Sequence, residues 1–319
     1  METLDTSVVA LGGGHGLHAS LSALREVARE VTAVVTVADD GGSSGRLRRE
    51  LDVLPPGDLR MALSALCGDD DWGRTWMRVL QHRFAGSGDL HGHALGNMLI
   101  VGLWELLGDA VAGLDMVGRL LGARGRVLPM STVPIDITAQ VQGPDGLETA
   151  HGQVEVATAR GRIVSVALAP AEPPACPEAL RAVEDADWVV LGPGSWFTSV
   201  IPHLLLPELR RALVARGERL VVVLNLEAQA GETGGFTPAD HLAVLHDLAP
   251  ELRVGVVLAD ATAVEASGPE LLEAVHRLGG RLVVADVATG PGSSAHDPVR
   301  LADALRPVLA GVGESVTPR

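Results

Sequence analysis

The spacing of apolar residues changes period several times along the chain. Ser7–Leu11 is a short apolar run that stops at a row of glycines. Thr32–Val37 is nearly all β-branched, as expected of a parallel strand buried on both faces. Between them Leu17, Leu21, Leu24 and Ala28 recur at helical spacing. Strand, helix and strand in that order predict a βαβ unit with a right-handed crossover. From Pro56 to about Leu121 the pattern is helical, interrupted at Gly68–Gly73 and Gly86–Gly92.

The period then shortens. Ile135, Ile137, Ala139 and Val141 alternate with polar residues, and Pro144-Asp145-Gly146 reads as a turn. Val154, Val156 and Ile163–Leu168 continue the apolar pattern. These features predict a small antiparallel hairpin region, residues 133–170, inserted into an α/β chain. Beyond the proline-rich Pro170–Pro177, strands are predicted at Trp188–Leu191, Leu220–Leu224, Leu252–Leu258 and Leu282–Val287. Helices are predicted at Leu206–Arg216, Pro238–Leu248, Glu270–Leu278 and Pro298–Leu309. The expected fold class is α/β. A doubly wound, mostly parallel sheet of Rossmann type spans residues 1–319 as one domain, with its ligand beyond the carboxyl ends of the strands.

Composition narrows the chemistry. All 25 basic residues are arginine, and tyrosine is absent. A Walker A lysine, a kinase lysine, a Schiff-base lysine and a Tyr-x-x-x-Lys reductase pair are therefore excluded. Forty acidic residues give a net charge of -15, which argues against nucleic acid as a partner. Cys67 and Cys176 lack disulfide or metal spacing, and no leader or membrane span is visible. The expected location is cytoplasmic, with no membrane insertion.

The candidate chemistry sits at strand ends. Gly12-Gly13-Gly14-His15-Gly16-Leu17 follows the first strand, where glycines let backbone approach a phosphate at a helix N-terminus. Asp39 lies about twenty residues further on, where a ribose-binding acid belongs. Asp39-Asp40-Gly41-Gly42-Ser43-Ser44-Gly45-Arg46 could bind a divalent metal and ribose, or cap the next helix. Pro55-Pro56-Gly57-Asp58-Leu59-Arg60 reads either as a turn with Asp58 as helix N-cap or as a segment presenting Arg60 to an anion. His91-Gly92-His93 has no third metal ligand fixed by spacing, while Asn97 opens an apolar helix. Gly192-Pro193-Gly194-Ser195-Trp196-Phe197-Thr198-Ser199 repeats the first loop's logic. It is not a serine-hydrolase elbow, because Phe197 stands where glycine is needed. Asn225-Leu226-Glu227-Ala228-Gln229 leaves another strand. His296-Asp297-Pro298 reads as a helix start. A hydride-transfer enzyme has the first-loop fingerprint but no catalytic pair.

The motifs GGGHGL, VADDGGSSGRLR, PPGDLR, GHALGN, GPGSWFTSVIP, NLEAQAGET and HDPVRLA together resemble the bacterial gluconeogenesis-factor (YvcK-like) family. That family is related to the 2-phospho-L-lactate transferases (CofD-like), and the likeness runs from about Val8 to Leu301. The resemblance implies a Rossmann-like core with an insertion. It also implies binding of UDP-sugars such as UDP-N-acetylglucosamine, and a role in cell shape and envelope synthesis on gluconeogenic carbon. Its transferase relatives move a phospholactyl group from a guanosine diphosphate donor to a deazaflavin with magnesium. Binding without a required cofactor is the leading expectation, with Mg2+ on Asp39 and Asp40 as the metal option. Cell-envelope synthesis proteins and a second copy of the chain are the macromolecular partners it allows.

The matching positions are Gly12, Gly13, Gly14, Gly16 and Leu17 in the first loop, and Asp39, Asp40, Gly41, Gly42, Ser43 and Arg46 in the second motif. Arg60, Asn97, Gly192, Gly194, Ser195, Ser199, Asn225 and Gln229 complete the ligand-binding set. His15 stands where threonine is usual, and Ala230 where proline is. A bound diphosphate is expected to meet amides of both glycine loops and either Arg46 or Arg60.

Overall fold

The computed structural model describes residues 2–144 and 146–311, so Asp145 of the expected turn lies outside the described residues, as do Met1 and 312–319. The apolar run at the N-terminus forms β1 (Leu4–Gly12), and the β-branched run forms β2 (Ala28–Val35). The helix between them is Gly14–Leu24, so Ala28 belongs to the second strand and not to the helix. Val8, Val9, Ala10 and Leu11 are consecutive and all buried. Both faces of β1 are therefore covered, as a parallel strand flanked by helices requires.

Helices Gly57–Ala65, Asp71–Gln81, Leu95–Leu107 and Ala110–Leu121 fill the expected helical stretch. They lead to β3 (Arg126–Pro129), a four-residue edge strand that periodicity does not reveal. The insertion contains β4 (Asp136–Gly143), β5 (Gly146–His151) and β6 (Arg162–Ala169), an antiparallel sheet in the order β5-β4-β6. Val154 and Val156 do not continue this sheet. They lie on a short helix, Gln153–Ala157.

The chain then returns through β7 (Trp188–Leu191), β8 (Leu220–Val223), β9 (Val256–Asp260) and β10 (Arg281–Ala285). The strand predicted from Leu252 begins only at Val256. The helix expected at Glu270–Leu278 starts nine residues earlier, at Ala261, and bends at Ser267. Helices Pro207–Arg216, Pro238–Leu248 and Pro298–Leu309 complete the pattern.

The main sheet has seven strands, all parallel, in the order β10-β9-β8-β7-β1-β2-β3. The chain winds outward from β1 through β2 and β3, then restarts on the other side of β1 with β7. This is a doubly wound α/β fold of Rossmann type, with its switch point between β1 and β7. The pairing of Leu11 with Leu191 brings the first residues of both glycine loops side by side, and Gly192 N–H donates to the Leu11 carbonyl at 3.1 Å. Among the described residues, no helix is long and apolar enough to cross a membrane.

Candidate functional site

The loops after β1 and β7 touch at the switch point. A Cβ on Gly16 would collide with the Pro193 carbonyl. At Gly13 it would lie 2.6 Å from Asp58 Oδ2 and 3.1 Å from Ser199 Oγ. Glycine at these positions lets three segments meet at one point. Beside them opens a cleft of about 560 Å³, lined by Gly13, Gly14, Gly16, Gly194, Ser195, Ser199, Asn225 and Gln229. These eight expected site residues thus come together. Asp58, His15, Gln153, Ser294 and His296 also line the cleft.

Not every glycine-loop amide is free. Asn225 clasps the second loop in both directions: Gly194 N–H donates to its Oδ1 at 2.9 Å, and its Nδ2 donates to the Gly194 carbonyl at 2.8 Å. Gln229 Nε2 donates to Ser195 Oγ at 3.2 Å. Glu232 is 2% exposed and accepts the Phe197 N–H at 2.9 Å and the Thr198 hydroxyl. Burial raises the Glu232 carboxyl pKa, against the pull of these donors. The second loop therefore presents the hydroxyls of Ser195 and Ser199, because two of the amides expected to hold an anion are taken: Gly194 N–H by Asn225 and Gly192 N–H by the Leu11 carbonyl. The first loop keeps its helix N-terminus, where the cap residue Gly13 makes no side-chain capping bond and the Asp58 carboxyl meets the Gly14 N–H.

The second motif lies beside the cleft and not along it. Asp39 Oδ1 accepts the Gly41 N–H at 2.9 Å, and burial raises its pKa. Asp40 Oδ1 accepts the Val154 N–H at 3.0 Å, which anchors the short helix of the insertion. Among the described residues, no three His, Cys, Asp or Glu side chains converge as a metal-binding group. Ser43 Oγ accepts from Ala94 N–H at 3.2 Å and from Asn97 Nδ2 at 3.1 Å, so its own proton faces His93 Nδ1 at 3.1 Å.

The two arginines expected at the anion are engaged elsewhere. Arg46 donates to the carbonyls of Asp89 and His91, at 3.2 and 2.7 Å. Arg60 is buried, donates to Asn97 Oδ1 at 2.8 Å and to Gln81, and does not line the cleft. Burial lowers its pKa to about 10. Gly12 and Leu17 are buried structural residues, with Leu17 in the core. Gly41 caps the helix Gly42–Leu51, and Gly192 starts the second loop.

The most perturbed group at the cleft is one that sequence reads as a helix-start acid. Asp58 is not the cap of its helix, since Pro56 holds that position. Burial, then the neighbouring Asp39 charge, push its carboxyl pKa up to about 7. A residue poised there changes charge in the physiological range and sits against the first glycine loop. His296 is a second surprise. Its ring lines the cleft, is 9% exposed, and its Nε2 meets no partner among the described residues. The adjoining Asp297 does start a helix, as expected, by accepting from Val299 and Arg300 N–H.

Comparison with known proteins places this geometry in a family. The model of the 2-phospho-L-lactate transferase CofD family matches residues 8–288. A Mycobacterium tuberculosis relative is 53% identical over 99% of this chain and 94% of its own. The gluconeogenesis factor of Listeria innocua is 36% identical, covering 95% of each chain. The crystal structure of protein BH3568 from Bacillus halodurans superposes with a TM-score of 0.84 at 34% identity, over 95% of this chain and 99% of that one. The shared switch-point architecture and these full-length identities lead to one conclusion: the chain belongs to the gluconeogenesis-factor group of the CofD family.

Proposed function

We propose that the chain is a cytosolic nucleotide-sugar-binding regulator, with a ligand of the UDP-N-acetylglucosamine kind, serving cell shape and envelope synthesis during gluconeogenic growth. The observation that carries this reading is the cleft where two glycine-rich loops meet at the β1–β7 switch point. Crevices at such points take nucleotides, with phosphates against the first loop and its helix N-terminus. Asp39, at the end of β2, stands on the side where ribose lies in this topology. The name of the Listeria relative, a gluconeogenesis factor, supports the link to gluconeogenic growth.

Magnesium fits the same place. Asp39 and Asp58 supply hard carboxylate oxygens. The Ser44 hydroxyl, 3% exposed, lies with Asp39 Oδ2 around Gly57 and faces that carboxylate. An ion there would offset the charge of a diphosphate, and this residue pair suits it better than Asp39 with Asp40. Asp58 would hold or release a proton beside the phosphates as its neighbours change.

The alternative reading is a phospholactate-type transferase, supported by the family-model match and by the Asp39–Asp58 pair. Calorimetric titration with UDP-N-acetylglucosamine, with and without magnesium, tests the leading reading on the native protein and on Asn225→Ala. Binding that weakens in the variant is expected. No heat up to millimolar ligand would overturn it. Product formation from a deazaflavin acceptor and a guanosine diphosphate donor would favour the alternative.

A further inference from the structure

The helix Leu95–Leu107 is apolar on two opposite faces. Asn97, Ile100, Val101 and Trp104 are buried and form its inner face. Opposite them lie Leu95, Leu99, Gly102 and Leu106, spaced by four, three and four residues. That spacing makes one straight stripe, the seam of a helix pair. The stripe is open to solvent: Leu106 is 77% exposed, Gly102 is exposed, and Leu95 and Leu99 are half-buried. Met98 and Leu103, also half-buried, flank it on either side. Glu105 is the one charged residue in the helix.

Gly102 has no conformational reason to be glycine. Its backbone is helical, where glycine is disfavoured, and a Cβ there would meet nothing within 4 Å. A missing side chain in an open apolar stripe leaves a recess that suits a large side chain from outside. The stripe supplies that side chain itself. Lay a second copy of the helix antiparallel, with the two-fold axis between Ile100 and Val101. Leu99 of each copy then faces Gly102 of the other, Leu95 faces Leu106, and Met98 faces Leu103. The charges obey the same symmetry. Arg83 bridges Ala94 and so stands at the N-terminal end of the helix, while Glu105 stands at its C-terminal end. Both are exposed, and neither forms an ion pair among the described residues. The antiparallel register sets Glu105 level with Gly96 of the other copy, about 3 Å along the axis from the Ala94–Arg83 bridge.

We propose that this stripe is the contact of a two-fold homodimer, in which the helices Leu95–Leu107 of two chains pack antiparallel with Leu99 seated over Gly102. A membrane surface is the weaker fit. Helices that lie on membranes carry Lys or Arg on their polar face, and this one carries Glu105 instead. At 1.5 Å per residue the helix is about 20 Å long, so the contact is small and a dissociation constant in the micromolar range is expected. The inference is independent of the nucleotide-sugar reading.

Sedimentation velocity on the full chain, from about 1 to about 100 μM, tests it. The native protein is expected to pass from monomer to dimer across that range. Leu106→Glu and Gly102→Arg change exposed positions, so both variants should melt close to native, and each should raise the dissociation constant about tenfold or more. Orientation is read separately, with Leu95→Cys and Leu106→Cys chains and a short bifunctional maleimide. The antiparallel register predicts covalent dimers in the mixture of the two variants and few from either alone. Cys67 and Cys176 are buried and do not compete. A native protein that stays monomeric throughout would overturn the proposal, as would a dimer that neither substitution weakens. Cross-linking as strong within each variant alone would also overturn it. A monomer that floats with phosphatidylcholine–phosphatidylglycerol vesicles, and stops doing so in Leu106→Glu, would assign the stripe to a membrane instead.

Discussion

Asp58→Asn isolates the electrostatic cost of placing a carboxylate against the first glycine loop. The Asp58 pKa rises from an ordinary 3.8 to about 7, through burial first and Asp39 second. Between those two pH values the unfolded chain has lost the proton and the folded chain still holds it. Stability contributed by this group therefore falls as pH rises from about 4 to about 7, and the loss is complete above that window. At 1.36 kcal/mol per pH unit the full cost is about 4 kcal/mol, as an upper value. For a chain of 319 residues, unfolding entropy of about 2.1 cal/mol/K per residue converts this to about 6 °C in Tm. Asn keeps an acceptor for the Gly14 N–H but carries no charge. Thermal unfolding of native and variant proteins at pH 5 and pH 8 reads the difference. The variant should melt up to about 6 °C higher at pH 8 and only about 2 °C higher at pH 5, where about a third of the cost is already present. An equal shift at both pH values, or a loss at pH 8, would refute the assignment of the strain to the Asp58 charge.

Three further substitutions probe the scaffold of the site. Gly16→Ala drives a methyl into the Pro193 carbonyl, and should lower stability by about 1–3 kcal/mol and abolish nucleotide binding in calorimetry. Glu232→Gln replaces one acceptor oxygen by a donor facing Phe197 N–H or the Thr198 hydroxyl. Urea unfolding at pH 7 should show a loss of about 1–3 kcal/mol. Asp40→Ala leaves the Val154 N–H without its partner. Hydrogen exchange should speed up across 152–158, while β1 and β7 keep native protection.

The strands at the centre of the sheet are legible because they are buried on both faces. Trp188–Leu191 and the second half of β1, Val8–Leu11, read directly as uninterrupted apolar runs. The edge strand β3 is not legible, since it has four residues, begins with arginine and ends with proline. Val154 and Val156 carry strand-forming side chains, yet Asp40, more than a hundred residues away, caps them into a helix. The glycine loops and Asn225 are visible as motifs because their role depends on local backbone geometry. The roles of Asp58 and His296 depend on what packs around them from distant segments. Arg46 and Arg60 mislead for the same reason: a guanidinium near a predicted crevice still goes to the nearest carbonyls and amide oxygens.

The interleaved winding of the main sheet also bears on the order of events during synthesis. The cleft draws on Gly13, Asp58, Gln153, Ser195, Asn225 and His296, and β1 gains its second neighbour only when β7 arrives. A ribosome-bound chain that ends before residue 188 thus exposes one long side of β1, with a glycine loop that has nothing opposite it. Small-molecule recognition can begin only after synthesis has nearly finished. A ligand present at that moment would select the finished fold and shift the balance against partly assembled chains by mass action.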